Sequence, residues 1–166
     1  LLVEPLRSIV NEDEVINLCK ELLVKPFEGY AKKLPDGSCI AYPDPATRGA
    51  PWTIGYGSTG PLIKQGCIWT HRQAEEALEA HLRAFLRLLI NHSPSVIDEP
   101  PKRVAALLSF IYNVGPGNYR ISTLRKKVNQ KDWFEASREI LKWNKANGKV
   151  MRGLTRRREA ESMLLK

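Results

Sequence analysis

The spacing of apolar residues changes twice along this chain of 166 residues, and those two changes narrow the folds open to it. Val15, Ile16, Leu18, Cys19, Leu22 and Leu23 recur at helical spacing. Between residues 30 and 58 that spacing disappears, and glycines, prolines and short alternating runs take its place. It returns at Thr70 and persists to the C-terminus. A uniform helical bundle and an all-β sandwich are both excluded. The expected architecture is α+β, a small antiparallel β-sheet lobe beside a larger helical lobe, with a cleft between the two as the natural place for a site. The length suits one domain, so residues 1–166 are expected to fold as a single unit of that kind.

Local signals set the elements. Residues 1–10 carry Pro5 and little periodicity and read as a lead-in strapped to the surface. Asn11 offers an N-cap, with Glu12, Asp13 and Glu14 suited to the positive end of a helix. Asp36-Gly37 between residues 32–34 and 39–42 reads as a hairpin turn, and residues 52–56 as a third strand. Residues 61–69 then connect the sheet to a long helix. Thr70-x-x-Gln73 is a capping box opening that helix, which runs to about Asn91, with the stripe Ala74, Ala77, Leu78, Leu82, Phe85 and Leu89. Pro101 opens the very apolar helix 102–113, and Gly115 closes it, making this the expected core helix. Ser122 caps a short helix, Asp132-x-x-Glu135 begins another that reaches Trp143, Asn147-Gly148 marks a turn, and Thr155 begins the last.

Charge is unevenly placed. Residues 102–166 hold 16 Lys/Arg against 5 Asp/Glu, a balance of +11, whereas residues 1–101 balance at −3. A basic half of this kind suits a nucleic acid, an anionic bacterial wall, or plain solvation, and charge does not choose among them. No apolar run approaches the roughly 20 residues that span a bilayer. The sequence shows no signal-peptide pattern and does not begin with methionine, which fits a chain trimmed at its N-terminus or missing an export segment. Cys19, Cys39 and Cys67 have no metal-ligand spacing; Cys19 lies on the apolar helix face and reads as a small buried hydrophobe.

The chemistry-bearing residues crowd into residues 27–60. Glu28 follows the apolar helix and Pro26, near a core that disfavours a carboxylate's charged form. Asp44, in Tyr42-Pro43-Asp44-Pro45, lies in a segment that its prolines hold extended, so its carboxyl is expected at the surface. Two carboxyls in unlike settings are what glycosidic cleavage requires, a proton for the leaving oxygen and a base for water. Gly55 and Gly57 have two readings of equal weight, relief of crowding in a twisted strand or close approach of a sugar to the backbone. Tyr42, Trp52, Tyr56 and Tyr119 suit either sugar stacking or core. Asn113 could bond an acetamido group or end a helix. His71, His81 and His92 are too scattered for a ligand set and receive no role.

The pattern Glu28-Gly29, Tyr42-x-Asp44 and Thr53-Ile54-Gly55-Tyr56-Gly57 resembles the phage-type lysozymes, the endolysins of glycoside hydrolase family 24. Further similarity runs through Leu108-Ser109-Phe110-x-Tyr112-Asn113-Val114-Gly115, Ser122-Thr123-Leu124, Trp143-Asn144-Lys145, and Gly153-Leu154 with Arg157 and Arg158. The resemblance implies a lysozyme-like muramidase that cleaves the β-1,4 link between N-acetylmuramic acid and N-acetylglucosamine. Its general acid falls on Glu28, its second carboxylate on Asp44 and its water-orienting threonine on Thr53; beside these, Tyr42, Tyr56 and Asn113 are the candidate substrate contacts. Two departures stand out. The 28–44 and 44–53 intervals are lengthened, which makes Asp36 a competitor for the second role, and Ser58 stands where many relatives carry histidine. Asp44 is preferred because Pro35-Asp36-Gly37 is turn chemistry. One of Arg156, Arg157 and Arg158 at most is expected to reach inward to a buried acid such as Glu28.

The implied partners are peptidoglycan glycan strands and the anionic wall surface, with no nucleic acid, no cofactor, no metal and a monomeric state. The implied setting is the cytoplasm of an infected bacterium, with action on its wall. Two other readings share some of these features: a lytic transglycosylase, and a non-catalytic cationic module for wall or nucleic acid.

Overall fold

A computed structural model describes residues 11–166, so the lead-in expected over residues 1–10 lies outside the described part. The described chain runs α1 (Glu12–Leu18), a wider π-helical stretch (Cys19–Val24), α2 (Lys25–Glu28), β1 (Cys39–Ile40), β2 (Ile68–Trp69) and α3 (His71–His92). It continues through a 3₁₀ turn (Pro94–Asp98), α4 (Pro101–Val114), α5 (Pro116–Ile121), α6 (Thr123–Asn129) and α7 (Trp133–Glu139). A second 3₁₀ turn (Ile140–Lys142) leads to β3 (Lys145–Ala146), β4 (Lys149–Val150) and α8 (Arg152–Leu165). The chain divides into two compact units, one formed by Val24–His81 and the other by the segment up to Leu23 together with Leu82–Lys166.

The helical unit is built on α4. Every residue from Val104 to Ile111 is buried, so this helix is apolar all round and is covered on all sides, chiefly by α1 and α8. Leu107, Leu108, Phe110 and Ile111 are wholly buried, and each contributes about 1.5–3 kcal/mol of burial energy. Caps act as the sequence implies at two helix starts here: Ser122 Oγ accepts the Arg125 N–H at 3.0 Å, and Asp132 Oδ1 accepts the Glu135 N–H at 3.1 Å. Two expected starts differ. Asn11 is left-handed, at φ 78°, and makes no side-chain cap; the acids beside it instead bind Arg83, Glu12 at 3.1 Å and Asp13 at 2.7 Å. α8 begins at Arg152 and not at Thr155, because the Thr155 hydroxyl donates back to the Met151 carbonyl at 3.1 Å, as an interior helical threonine does.

The small unit is thinner in β structure than expected. β1 pairs antiparallel with β2, Cys39 opposite Trp69 and Ile40 opposite Ile68, so the segment read as a connection supplies a strand. The hairpin at Asp36-Gly37 forms, with the Leu34 N–H donating to Ser38 O at 2.7 Å, but it is held by the single bridge Lys33–Cys39. The third expected strand touches its neighbour only at Tyr42–Thr53. Pro43, Pro45 and Pro51 remove the donors a longer ladder would need. α3 opens on a complete capping box, with the Gln73 N–H donating to Thr70 Oγ1 at 3.1 Å and the Thr70 N–H to Gln73 Oε1 at 2.8 Å. All three cysteines are free thiols, Cys19 and Cys39 buried and Cys67 half-buried. Burial pushes the Cys19 thiol up, against the pull of Arg157, which keeps it a neutral hydrophobe.

Candidate active site

Glu28 is the last residue of α2, as its position after the apolar helix implies, and it is half-buried. The turn closes when the Gly29 N–H donates to Lys25 O at 2.9 Å. Gly29 then leaves at φ 72°, a region that costs a residue with a side chain but not glycine. Just before it, Pro26 has no N–H for the carbonyl of Leu22 and its ring would crowd that group; the π-helical winding over Cys19–Val24 accommodates it inside a continuous helical run.

Tyr42 and Thr53 exchange backbone hydrogen bonds, each N–H donating to the other's carbonyl at 2.9 Å. The Tyr42 phenol is pushed up by burial and then by the negative charge of Glu28, so the acid acts electrostatically on the residue paired with Thr53. Asp44 lies two residues beyond Tyr42. Its Oδ1 accepts N–H groups from Ala46 at 2.7 Å and Thr47 at 3.2 Å, while its own N–H donates to Gly49 O at 3.0 Å. The inserted prolyl loop is therefore folded around this carboxylate as an Asx turn. Asp36 is engaged in a different way: its Oδ1 accepts from both the hydroxyl and the N–H of Ser38, and the hydroxyl first, then the amide, hold its carboxyl below the usual range. This is the turn role assigned to it by Pro35-Asp36-Gly37.

Ile54 and Ser58 also exchange backbone bonds at 2.9 Å, which closes the turn Gly55-Tyr56-Gly57. Gly55 has φ +63°, and a Cβ there would sit 3.0 Å from Ala74 Cβ on α3, so crowding accounts for this glycine. Ser58 is 2% exposed, and its Oγ has no hydrogen-bond partner among the described residues.

The turn directs Tyr56 inward, 5% exposed. Its phenol oxygen lies 3.1 Å from His71 Nε2 and donates to Glu75 Oε1 at 3.4 Å. Glu75 also pairs with Lys25, whose ammonium stands 5.5 Å from the Tyr56 ring centroid. The Tyr30 ring lies 5.2 Å from both Tyr56, tilted against it, and His71, which it meets edge to face. Tyr30, Lys33, Gly37, Tyr56 and His71 line a cavity of about 470 Å³. Burial pushes the Tyr30 phenol up while its hydroxyl donates to Gly37 O at 2.9 Å. His71 thus belongs to this cluster, although as one of three scattered histidines it carried no role in the sequence. Glu75 and Lys25 belong to no motif in the sequence. The available signal was spacing: Glu75 is four residues after His71, and Lys25 one turn before Glu28.

In the helical unit, Asn113 is half-buried in the last turn of α4. Tyr119 is core, wholly buried, with its phenol 2.7 Å from Ser93 Oγ. The expectation that at most one of the three consecutive arginines turns inward is overturned. Arg157 and Arg158 are both buried, and both bind Glu161 from the same helix. Consecutive helical residues are 100° apart, close enough for both to flank one acid three and four residues on.

A family model described as phage lysozyme matches residues 26–161. The SAR-endolysin of Enterobacteria phage PA-2 is 38% identical over 111 residues, 66% of this chain and 66% of that protein. The chain therefore spans just under two thirds of the length of such relatives. The endolysin of Acyrthosiphon pisum secondary endosymbiont phage 1 is 35% identical over 147 residues, 86% of this chain and 92% of that one. Among solved structures, the endolysin from Escherichia coli O157:H7 phage FAHEc1 superposes with a TM-score of 0.69 at 26% identity, covering 92% of this chain and 90% of the other. The muramidase domain of SpmX from Asticaccaulis excentricus gives 0.67 at 27% identity, covering 91% and 93%.

Proposed function

The chain belongs to the phage lysozyme family, and on that premise we propose that it is a single-domain endolysin-type N-acetylmuramidase, cleaving the β-1,4 link between N-acetylmuramic acid and N-acetylglucosamine in peptidoglycan. The observation that supports the reading is local: Glu28 ends α2, Thr53 is paired with Tyr42 through reciprocal backbone hydrogen bonds, and Asp44 follows Tyr42 by two residues in a loop folded around its carboxylate. Glu28 protonates the leaving oxygen. Asp44, fixed by its own loop amides, takes a proton from water, and the Thr53 hydroxyl orients that water. The attack then comes from the face opposite the leaving group, so the first product is the α-anomer. Tyr42 and Asn113 contact the sugars, whereas Tyr56, expected as a third sugar contact, is 5% exposed with its hydroxyl engaged by His71 and Glu75 and acts through its packing instead. The partners are peptidoglycan strands and the anionic wall, without nucleic acid or cofactor, and the protein acts as a monomer. It is made in the cytoplasm of the infected bacterium and acts on the wall; among the described residues no helix is long and apolar enough to cross a membrane.

The test is turnover of purified peptidoglycan with analysis of the released reducing ends. Glu28→Gln should remain folded and lose about 10²–10⁴-fold in rate. Asp44→Asn should be inactive and Asp36→Asn active. The reverse order would move the base to Asp36, an anhydro end would make the enzyme a lytic transglycosylase, and absence of turnover in the unaltered protein would reduce it to a binding module.

A further inference from the structure

α2 presents a mechanical difficulty. It is a single turn of four residues, preceded by π-helical winding and ended by a left-handed glycine, yet it carries the acid. It ends a continuous helical run that begins at Glu12, but the π-helical winding interrupts the regular ladder just before it, and the last turn of a helix frays. Thr53, on the other side of the reacting bond in the reading above, is held to its neighbour by one backbone pair. A frayed helix end and a strand held by one pair do not by themselves fix a side chain to the tolerance that catalysis needs, where a displacement of about 1 Å can cost about 10²-fold in rate.

We infer that Glu75, with Lys25 and Tyr56, is a positioning clamp that holds the turn bearing Glu28 and the strand bearing Thr53 against one rigid helix. Lys25 is the first residue of α2, one turn before Glu28, and its carbonyl accepts the hydrogen bond that closes α2. Its ammonium pairs with the Glu75 carboxylate, with side chains only 22% and 18% exposed, so solvent screens the pair less than it would a surface ion pair. The same Glu75 Oε1 accepts from the Tyr56 hydroxyl at 3.4 Å. Tyr56 follows Thr53 by three residues and is locked in the turn that Ile54 and Ser58 close. The Lys25 ammonium over the Tyr56 ring, 5.5 Å from its centroid, closes a triangle of contacts. Glu75 itself projects from α3, a 22-residue helix with a complete capping box, which makes it the stiffest support near the site. His71, one turn earlier on α3, contacts the Tyr56 phenol from its outer side at 3.1 Å and so limits where that ring can go.

This inference rests on Glu28 as the acid, and the experiment separates the two. Glu75→Ala, Lys25→Ala, their double variant, Tyr56→Phe and Glu28→Gln are assayed on purified peptidoglycan at a temperature where circular dichroism reports each fully folded. For Glu75→Ala the clamp requires kcat to fall about tenfold or more with KM unchanged within about twofold, since substrate contacts remain and only alignment is lost. The Lys25/Glu75 double variant should be no slower than the worse single one, and exchanging the two charges, Lys25→Glu with Glu75→Lys, should recover only the part of the loss that the ion pair carries, because neither contact to Tyr56 is rebuilt. On a Glu28→Gln background Glu75→Ala should cost nothing further. A folded Glu75→Ala protein with kcat within twofold of the unaltered one, or fully additive losses in the cycle, overturns the clamp. Full activity in Glu28→Gln would instead overturn the reading of the site.

Discussion

Arg158 and Glu161, both wholly excluded from solvent on α8, meet with Nε 2.8 Å from Oε2. The approach is close but off the N–H axis, so it acts as an ion contact more than as a hydrogen bond. The better-formed bonds go to Oε1, from Ser109 Oγ at 2.7 Å and from the terminal nitrogen of Arg158 at 3.0 Å, with Arg157 Nε at 3.3 Å. Burial pushes the Glu161 carboxyl up, and Arg158, Arg157 and the Ser109 hydroxyl oppose it. Removing the acid leaves two guanidinium groups in the core. Glu161→Ala should therefore lower unfolding free energy by about 3–5 kcal/mol, read from urea midpoints, while Ser109→Ala should cost about 1 kcal/mol. A Glu161→Ala loss below that of Ser109→Ala would show that the acid is not what holds the two arginines in place.

How much of this was legible in the sequence depends on how local each determinant is. Helix starts set by an oxygen and an amide three residues apart were readable at Thr70, Ser122 and Asp132, because donor and acceptor are chain neighbours. The general position of Glu28 at a helix end was readable for the same reason. The partner of β1 was not: β1 joins Ile68–Trp69 across almost 30 residues, and nothing in the composition of residues 61–69 distinguishes a strand from a connection. The inward turn of Arg157 and Arg158 was hidden too, since a run of three arginines looks like solvated charge until the burial of Glu161 is known.

Gly55 is constrained twice. Alanine there would have to hold φ near +63°, at about 1–2 kcal/mol, and place its methyl 3.0 Å from Ala74 Cβ. Gly55→Ala should destabilise by about 2–4 kcal/mol in chemical denaturation. Adding Ala74→Gly removes the crowding and leaves the dihedral cost, so the double variant should be more stable than the sum of the single losses by about 1 kcal/mol. Strict additivity would mean that the methyl is accommodated without strain.

Alkaline stability should depend on Tyr119. Burial pushes its phenol up to about 12, above the ordinary value near 10. A raised folded value means that this residue's contribution is intact below pH 10 and is lost as pH rises from there to about 12, because the unfolded phenol ionises first. Over that interval the unaltered protein should lose about 2–3 kcal/mol more than Tyr119→Phe does. Parallel pH profiles for the two would remove the buried phenol as the cause.

The basic half should show itself as salt sensitivity of wall attachment. Screening shortens to about 8 Å at physiological ionic strength and further beyond it, so the +11 balance of residues 102–166 should bind an anionic wall less tightly as salt rises. Activity on whole walls should fall with salt while hydrolysis of short uncharged oligosaccharides stays nearly level. Equal sensitivity on both substrates would assign the effect to folding or catalysis.

The helical unit is discontinuous in the chain: α1 belongs with α4 and α8, although the whole of Val24–His81 lies between them in sequence. On a ribosome adding about 5–20 residues each second, α4 follows α1 by on the order of ten seconds. During that delay Val15, Ile16 and Cys19, all buried in the finished protein, have no α4 to cover them. Bringing the two segments together closes a loop of roughly 80 residues, a cost of about 4 kcal/mol in chain entropy. α1 is thus seated only after roughly 80 further residues have been made, which makes its apolar stripe the natural target for a chaperone or protease acting on the nascent chain.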